Sequence, residues 1–216
     1  MKHYKNYIFD FDGTLAHTAP DILDSIRRSC EISGVHINQD SLDDNLIGPP
    51  LDVIIKKIKP DIEDEVLRQV VKNFRSIYDS SAFPLTELYP GIKSVLAELR
   101  EKGIRLYIAT NKRKIPLTNL LKKLEIFDLM DGICTVDYNG GKLSKTEMVK
   151  TIISEHKLDK ECSIIIGDAM GDINAGIAAG ISTAAALWGY SNPDEKKELC
   201  SNAAHIINAP QDILSL

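Results

Sequence analysis

The sequence predicts an α/β fold: a doubly wound (Rossmann-like) parallel sheet core with an inserted α-helical cap domain. Three observations support this prediction. The apolar run Tyr7-Ile8-Phe9 is typical of a short buried strand, and no further strand of that kind follows until about residue 104. From Tyr89-Pro90-Gly91 onward, helical and strand patterns alternate. Such alternation is typical of parallel sheets covered by helices on both faces.

The interval between the first strand and the alternating region contains three predicted helices. The first begins near Pro20 and ends near Gly34, two residue types that suit a first helical turn and a helix end. The second covers Leu51–Ile58 and the third about Glu63–Tyr78, each with apolar residues at helical spacing. Because this interval is far longer than an ordinary connection, it is predicted to be a separate domain. The predicted boundaries are residues 16–83 for the cap, and residues 1–15 with 84–216 for the core.

The alternating region continues the sheet and ends its strands at polar residues. Its predicted elements are a helix at Ile92–Lys102, a strand at Ile104–Ala109, a helix at Lys145–His156, a strand at Ser163–Ile166, a helix at Ile173–Ala179 and a last strand from about Ile181. Three buried strands stop at Asp10, Thr110 and Asp168. Since the carboxyl ends of parallel strands share one edge of a sheet, these residues are expected to meet in one crevice.

Composition narrows the classes of function. The 216 residues carry a formal net charge of -5, which argues against a nucleic-acid or anionic membrane surface. The four cysteines show no metal-binding spacing and are expected to be reduced thiols. The N-terminus runs directly into the first strand without an apolar signal segment, so a cytoplasmic location is expected.

The predicted crevice is rich in acid. Asp10 and Asp12 are two residues apart, and Asp168 and Asp172 follow another strand, so four carboxylates would crowd one edge of the sheet. Like charges at that distance destabilise one another unless cations intervene. Ligands that are all oxygens favour magnesium over zinc, and Lys145, at a predicted helix start, is the candidate for a balancing ammonium.

Four short motifs in a fixed order carry a family resemblance. They are Asp10-Phe11-Asp12-Gly13-Thr14-Leu15, Thr110-Asn111, Lys145, and Gly167-Asp168-Ala169-Met170-Gly171-Asp172. With these motifs the chain resembles the haloacid dehalogenase-like hydrolases over nearly its whole length. The inserted helices are similar to the helical cap of that family's first subclass.

The resemblance implies a magnesium-dependent phosphatase of small phosphate monoesters. Asp10 would be the nucleophile that forms an aspartyl-phosphate, and Asp12 would be the general acid and base. Magnesium would be held by Asp10, by the main-chain carbonyl of Asp12 and by Asp168, with Asp172 just beyond or on a water ligand. The phosphoryl group would be bound by Gly13, Thr14, Thr110, Asn111 and Lys145.

Further stretches resemble phosphoglycolate phosphatase-like members of the family. They are Ala19-Pro20-Asp21-Ile22, Ile47-Gly48-Pro49-Pro50-Leu51, Leu88-Tyr89-Pro90-Gly91 and Leu187-Trp188-Gly189-Tyr190. The acid at Asp12 favours phosphoryl transfer over removal of halide. Two departures leave the substrate open: His17-Thr18 stands where many members have Asp-Ser, and Thr146 stands where proline is frequent. Lys142 is the alternative to Lys145 as the lysine of the third motif.

Other functions remain open at the level of sequence. A phosphomutase of the β-phosphoglucomutase type would share every core residue, and a nucleotidase or pyrophosphatase would differ only in its substrate. A phospho-receiver or an inactive binding protein is the alternative that is not an enzyme. The expected partner is a small phosphorylated metabolite, with no nucleic acid or membrane, and the chain is expected to be a monomer or homodimer.

Overall fold

The computed structural model describes residues 3–216. The strands are β1 (Asn6–Phe9), β2 (Ala16–His17), β3 (Glu87–Leu88), β4 (Arg105–Thr110), β5 (Gly132–Thr135), β6 (Ser163–Gly167), β7 (Ser182–Ala186) and β8 (His205–Ile207). The α-helices are α1 (Ala19–Ile32), α2 (Leu51–Ile58), α3 (Asp64–Asp79), α4 (Ile92–Glu101), α5 (Lys114–Lys123), α6 (Lys145–Glu155), α7 (Met170–Ala179) and α8 (Pro193–Asn202).

A six-stranded parallel sheet forms the core, in the order β5-β4-β1-β6-β7-β8. Strand β1 is buried at every position and lies between β4 and β6, with Phe9 aligned to Ile108 on one side and Ile166 on the other. The chain winds from β1 outward through β4 to β5, then returns to the opposite side of β1 as β6. In open α/β sheets this reversal of winding is where ligands bind, beyond the carboxyl ends of the strands.

The predicted fold class is confirmed, but six of these elements were not predicted: the two-residue strands β2 and β3, the edge strands β5 and β8, and the helices α5 and α8. Strand β5 has only four residues, two of them Gly132 and Thr135, and it lies at one edge of the sheet. Strand β8 has three residues, includes His205 and lies at the other edge. Short edge strands carry less of the continuous apolar pattern that marks a buried strand. The accompanying helices α5 and α8 were omitted with them.

The chain divides into two compact units, Thr18–Thr86 and the rest of the chain. The division lies at Thr18 and Thr86 rather than at the predicted residues 16 and 83. The reason is a short antiparallel ladder in the larger unit, in which Ala16 pairs with Leu88 and His17 with Glu87. This ladder pairs the segment that leads into the inserted unit with the segment that leads out of it.

The inserted unit is helical, with α1 packed against α3. Its ends are joined by Asp21, a buried carboxylate on α1 that accepts hydrogen bonds from the Leu85 amide at 3.1 Å and the Thr86 hydroxyl at 2.7 Å. A buried carboxylate must be hydrogen-bonded in this way, since leaving it unpaired is costly. Among the helices of residues 3–216, none combines the length and the apolar character that spanning a membrane requires.

Candidate active site

The first motif begins where β1 ends at the centre of the sheet. The Asp10 amide donates to the Ile166 carbonyl at 2.9 Å, which continues the strand pairing as far as the acid itself. The Asp10 carboxylate accepts the Phe11 amide on Oδ1 at 2.7 Å. Within residues 3–216, no hydrogen bond or ion pair reaches Asp10 Oδ2. That oxygen is therefore available to a ligand.

Asp168 follows β6 directly and is fixed through both of its oxygens. Thr14 Oγ1 donates to Oδ1 at 2.7 Å, and the Tyr190 amide donates to Oδ2 at 2.9 Å. Two glycines make room for this carboxylate, because a Cβ at Gly13 or at Gly189 would collide with Asp168 side-chain atoms. Gly13 also has a φ of +79°, a conformation that side-chain-bearing residues rarely adopt.

Asp172 lies in the first turn of α7 and completes an acidic cluster. Its Oδ2 accepts the Ala169 amide at 3.2 Å, as expected for an acid near a helix N-terminus. Ligand atoms of Asp10, Asp168 and Asp172, all buried, lie within 4.8 Å of one another. The crevice that the sequence predicted is therefore present, with Asp172 among its nearest members. The Asp12 side chain is not part of this cluster.

Burial changes the ionisation of the cluster. Burial raises the pKa of Asp10 to about 8, a change that Lys145 opposes and the neighbouring carboxylates increase. Burial, together with the charge of Asp172, raises the pKa of Asp168 to about 7. Hydrogen bonds from Thr14 and from the Tyr190 amide act in the opposite direction. A bound cation would favour the ionised forms of both acids.

Lys145 is the first residue of α6, and its ammonium reaches into the cluster. The helix start is fixed by a capping box in which Ser144 and Glu147 exchange hydrogen bonds. Lys145 Nζ lies 2.8 Å from Asp10 Oδ1, 2.9 Å from Asp172 Oδ1 and 3.1 Å from the Ala109 carbonyl. Burial alone would lower the pKa of this ammonium, but the Asp10 and Asp172 carboxylates raise that pKa above its ordinary value.

Asp12 pairs with a second buried lysine, Lys112, which is not among the predicted site residues. Lys112 Nζ lies 2.8 Å from Asp12 Oδ1, and the two side chains are only 4% and 11% exposed. Strands β1 and β4 are adjacent and parallel, so the residues that follow Phe9 leave the sheet beside those that follow Ile108. Extending this register places Asp12 beside Asn111, the residue before Lys112. The position of Lys112 just after β4 is the signal that could have found it.

The residues predicted to bind a phosphoryl group lie at the same edge of the sheet. Thr110 is buried at the end of β4, and its Oγ1 accepts the Lys112 amide at 3.1 Å. Asn111 is half-buried in the same turn. The Thr14 hydroxyl is bonded to Asp168, so a phosphoryl contact through that hydroxyl would compete with this bond. Lys142, the alternative lysine, is exposed.

A segment near residue 190 supports the first and fourth motifs. Trp188 Nε1 donates to the Thr14 carbonyl at 3.1 Å, and the Ser191 hydroxyl donates to the Asp168 carbonyl. The Tyr190 hydroxyl lies 3.2 Å from His17 Nδ1. The Trp188 indole therefore helps to hold the backbone of the first motif.

The donor set of the cluster fits a magnesium ion. It consists of carboxylate oxygens only, the ligand type that magnesium prefers. The buried Asp172 Oδ1 lies 2.9 Å from Lys145 Nζ, which also contacts Asp10. Two of the three buried carboxylates thus share this ammonium, and a bound divalent cation would offset the remaining negative charge of the cluster.

The sequence profile of the haloacid dehalogenase-like hydrolases matches residues 7–186, which include all four motifs and the inserted unit. The chain therefore belongs to the haloacid dehalogenase-like hydrolase family. A phosphoglycolate phosphatase from Aquifex aeolicus is 32% identical over 189 residues, covering 85% of this chain and 84% of that protein. The family predicted from the motifs, and the likeness to its phosphoglycolate phosphatase-like members, are thus confirmed.

Two other known proteins also resemble the chain. Tyrosine-protein kinase PtkA of Mycobacterium tuberculosis is 27% identical over 187 residues, which cover 87% of this chain. The chain spans only 63% of the length of that relative. Among solved structures, a haloacid dehalogenase-like family hydrolase from Streptococcus pneumoniae matches with a TM-score of 0.85 and 25% identity, covering 100% of this chain and 99% of that one.

Proposed function

We propose that this protein is a magnesium-dependent phosphatase that hydrolyses small phosphate monoesters through an aspartyl-phosphate. The observation that carries the proposal is the convergence of Asp10, Asp168 and Asp172 within 4.8 Å at the edge of the sheet, with Lys145 on two of them. Such a site combines a nucleophile, a place for a divalent cation and a fixed ammonium. Those are the parts that phosphoryl transfer requires.

Asp10 and Asp168, with the main-chain carbonyl of Asp12, would hold the magnesium ion. Asp172 would lie just beyond these ligands or would contact the ion through a water. When bound, magnesium would offset the negative charge of the phosphoryl oxygens. Thr14 and the Tyr190 amide fix the Asp168 carboxylate, which therefore needs little rearrangement to act as a ligand.

Asp10 would attack phosphorus through its carboxylate while the bond to the leaving oxygen breaks. Asp12 would give its proton to that leaving oxygen. In the second half of the reaction Asp12 would take a proton from water, which attacks phosphorus, frees the Asp10 carboxylate and releases inorganic phosphate. Lys145, Thr110 and the backbone at Gly13 and Asn111 would bind the phosphoryl oxygens and stabilise the charge that develops there.

The relatives support the phosphatase class and favour one substrate family. The Aquifex aeolicus protein is a phosphoglycolate phosphatase and matches over most of both chains, so small phosphorylated acids are the first substrates to test. A phosphomutase, nucleotidase or pyrophosphatase would use the same core residues. A phospho-receiver is disfavoured by the long helical insertion that follows the first motif.

A second candidate function is phosphoryl transfer to protein tyrosine. The similarity to tyrosine-protein kinase PtkA favours it. A protein hydroxyl would then take the place of water as the acceptor. Incubation with a labelled nucleoside triphosphate and a tyrosine-containing protein would produce labelled phosphotyrosine, whereas a phosphatase would release only inorganic phosphate.

The proposed function is tested by phosphate release from a panel of esters with magnesium. The panel includes phosphoglycolate, sugar phosphates, nucleotides, pyrophosphate and an aryl phosphate. We expect at least one ester to be hydrolysed, with activity lost in a chelator and restored by added magnesium. Asp10→Asn is the matched control for contaminating phosphatase. Absence of release from every ester, or equal release by Asp10→Asn, would contradict the proposal.

A further inference from the structure

The site contains two buried lysines, and each is paired with a different acid of the first motif. Lys145 Nζ contacts Asp10 Oδ1 at 2.8 Å, and Lys112 Nζ contacts Asp12 Oδ1 at 2.8 Å. The first pair belongs to the acidic cluster. The second pair lies outside the three acids whose ligand atoms converge. Lys112 therefore pairs with Asp12, an acid outside that cluster.

The position of Lys112 is determined by its surroundings. Its backbone amide donates to Thr110 Oγ1 at 3.1 Å, so the turn after β4 fixes where the side chain starts. The side chain then runs past the buried ring of Phe11, with Nζ 5.9 Å from the ring centroid. Placing a lysine with 4% exposure requires a counter-charge, and Asp12 supplies it. The pair therefore also fixes the Asp12 carboxylate.

We propose that Lys112 is a positioning residue that holds the Asp12 carboxylate in its working orientation for both proton transfers. The inference rests on the proposed function, since it assigns Lys112 to the residue that exchanges protons with the leaving group and with water. A proton-transfer group is effective only within hydrogen-bond reach of its target. A carboxylate released from its ammonium partner would sample other side-chain rotamers and lose that geometry.

The test compares Lys112→Met, which keeps the length of the side chain without its charge, with Lys112→Arg. The matched control is Lys114→Met, an exposed lysine two residues further along the chain. Each variant is assayed with magnesium on an activated aryl phosphate and on an alkyl ester that the wild-type protein cleaves. Folding is followed by thermal unfolding, and magnesium affinity by titration.

If Lys112 positions Asp12, Lys112→Met should lose about 10-fold or more in kcat/KM on the alkyl ester, a part of the 10²–10⁴-fold that such catalysis contributes. The loss on the aryl ester should be smaller, because a good leaving group needs less protonation. Rapid quench and intact-protein mass should show the aspartyl-phosphate accumulating on the aryl ester, since water is poorly activated. Lys112→Arg should restore most of the activity, and Lys114→Met should match the wild-type protein.

Two results would overturn the inference while leaving the proposed function intact. One is a Lys112→Met variant in which kcat/KM depends on the leaving group of the ester just as it does in the wild-type protein. The other is an equal loss on both esters with a raised KM, which would make Lys112 a phosphoryl-binding residue. If Lys112→Met does not fold, Lys112→Gln carries the same comparison. A wild-type protein that cleaves no ester in the panel would overturn the proposed function, and this inference with it.

Discussion

At the scale of single residues, Asp168 is the acid of the cluster that the chain constrains most directly. Both of its oxygens accept hydrogen bonds from groups that do not depend on a ligand. Asp172 differs, because its Oδ1 lies beside the Lys145 ammonium, which offsets its charge. The two acids should therefore contribute unequally to binding of a cation.

We predict that Asp168→Asn weakens magnesium affinity by about 100-fold or more, since even residues that only orient a ligand contribute 10–100-fold. Asp172→Asn should weaken it less. Titration with magnesium, followed by calorimetry or by thermal stabilisation, measures both. Wild-type affinity in Asp168→Asn would rule out the assignment of this residue as a ligand.

Lys145 is predicted to stabilise charge that develops on the phosphoryl group. Lys145→Ala should reduce kcat/KM by an amount equal to about 2–4 kcal/mol, the usual effect of removing one preorganised electrostatic donor. Lys142→Ala is the matched control, because Lys142 lies three positions earlier and is exposed. Steady-state kinetics on an aryl phosphate would show the difference. A severe loss in Lys142→Ala with little in Lys145→Ala would transfer the role to Lys142.

Sequence reasoning found the residues of the site whose position follows from strand order, and missed those that depend on folding of distant segments. Asp10, Thr110 and Asp168 end buried strands, so a parallel sheet brings them together whatever the loops do. The bond from Thr14 to Asp168 joins residues 154 positions apart. The contact of Lys112 with Asp12 depends on a turn and a side-chain path that no local pattern encodes.

At the scale of elements, the loop after β1 determines the shape of the site through Gly13. This residue has a φ of +79°, and a Cβ there would collide with Asp168. Gly103 has a similar φ of +74°, but a Cβ there would meet no atom within 4 Å. Substitutions at the two glycines therefore distinguish the free-energy cost of the left-handed backbone conformation from the cost of the collision with Asp168.

Gly103→Ala should lower the free energy of unfolding by about 1–2 kcal/mol, the cost of a left-handed conformation, and leave kcat unchanged. Gly13→Ala should lower it further and also abolish most magnesium binding, because Asp168 must move. Chemical denaturation and magnesium titration of both variants provide the comparison. Equal destabilisation, with normal magnesium affinity in Gly13→Ala, would show that the close approach is unimportant.

The elements themselves were predicted unevenly, for a physical reason. The buried strands β1, β4 and β6 were found because each is a run of apolar residues flanked by turn residues. The edge strands β5 and β8 were missed because they are short and partly polar. Helix α7 begins at Met170, three residues before its predicted start, since Asp172 is part of its first turn.

At the scale of the whole molecule, we propose that the inserted unit, Thr18–Thr86, selects the ester. The proposed chemistry uses only residues of the larger unit, and the four family motifs also lie in the larger unit. Exchanging Thr18–Thr86 for the corresponding segment of a phosphoglycolate phosphatase should therefore change the preferred ester. Activity on a small aryl phosphate should be retained. An unchanged order of preference across the panel would assign selectivity to loops of the larger unit.

The central claim is that Asp10 becomes phosphorylated and that Asp12 is needed to release the phosphoryl group. Asp12→Ala should slow hydrolysis of esters with basic leaving groups by about 10²–10⁴-fold, the usual contribution of general acid catalysis. An activated aryl phosphate should still phosphorylate this variant, and the adduct should persist because no base prepares the water. Asp10→Asn should form no adduct, since an amide is a poor nucleophile toward phosphorus.

The most direct test is rapid quench of each variant with an aryl phosphate and magnesium, followed by intact-protein mass measurement and mapping of the modified peptide. We predict a phosphoryl adduct on Asp12→Ala that maps to Asp10, and none on Asp10→Asn. An adduct on any residue other than Asp10, or an adduct on Asp10→Asn, would contradict the mechanism.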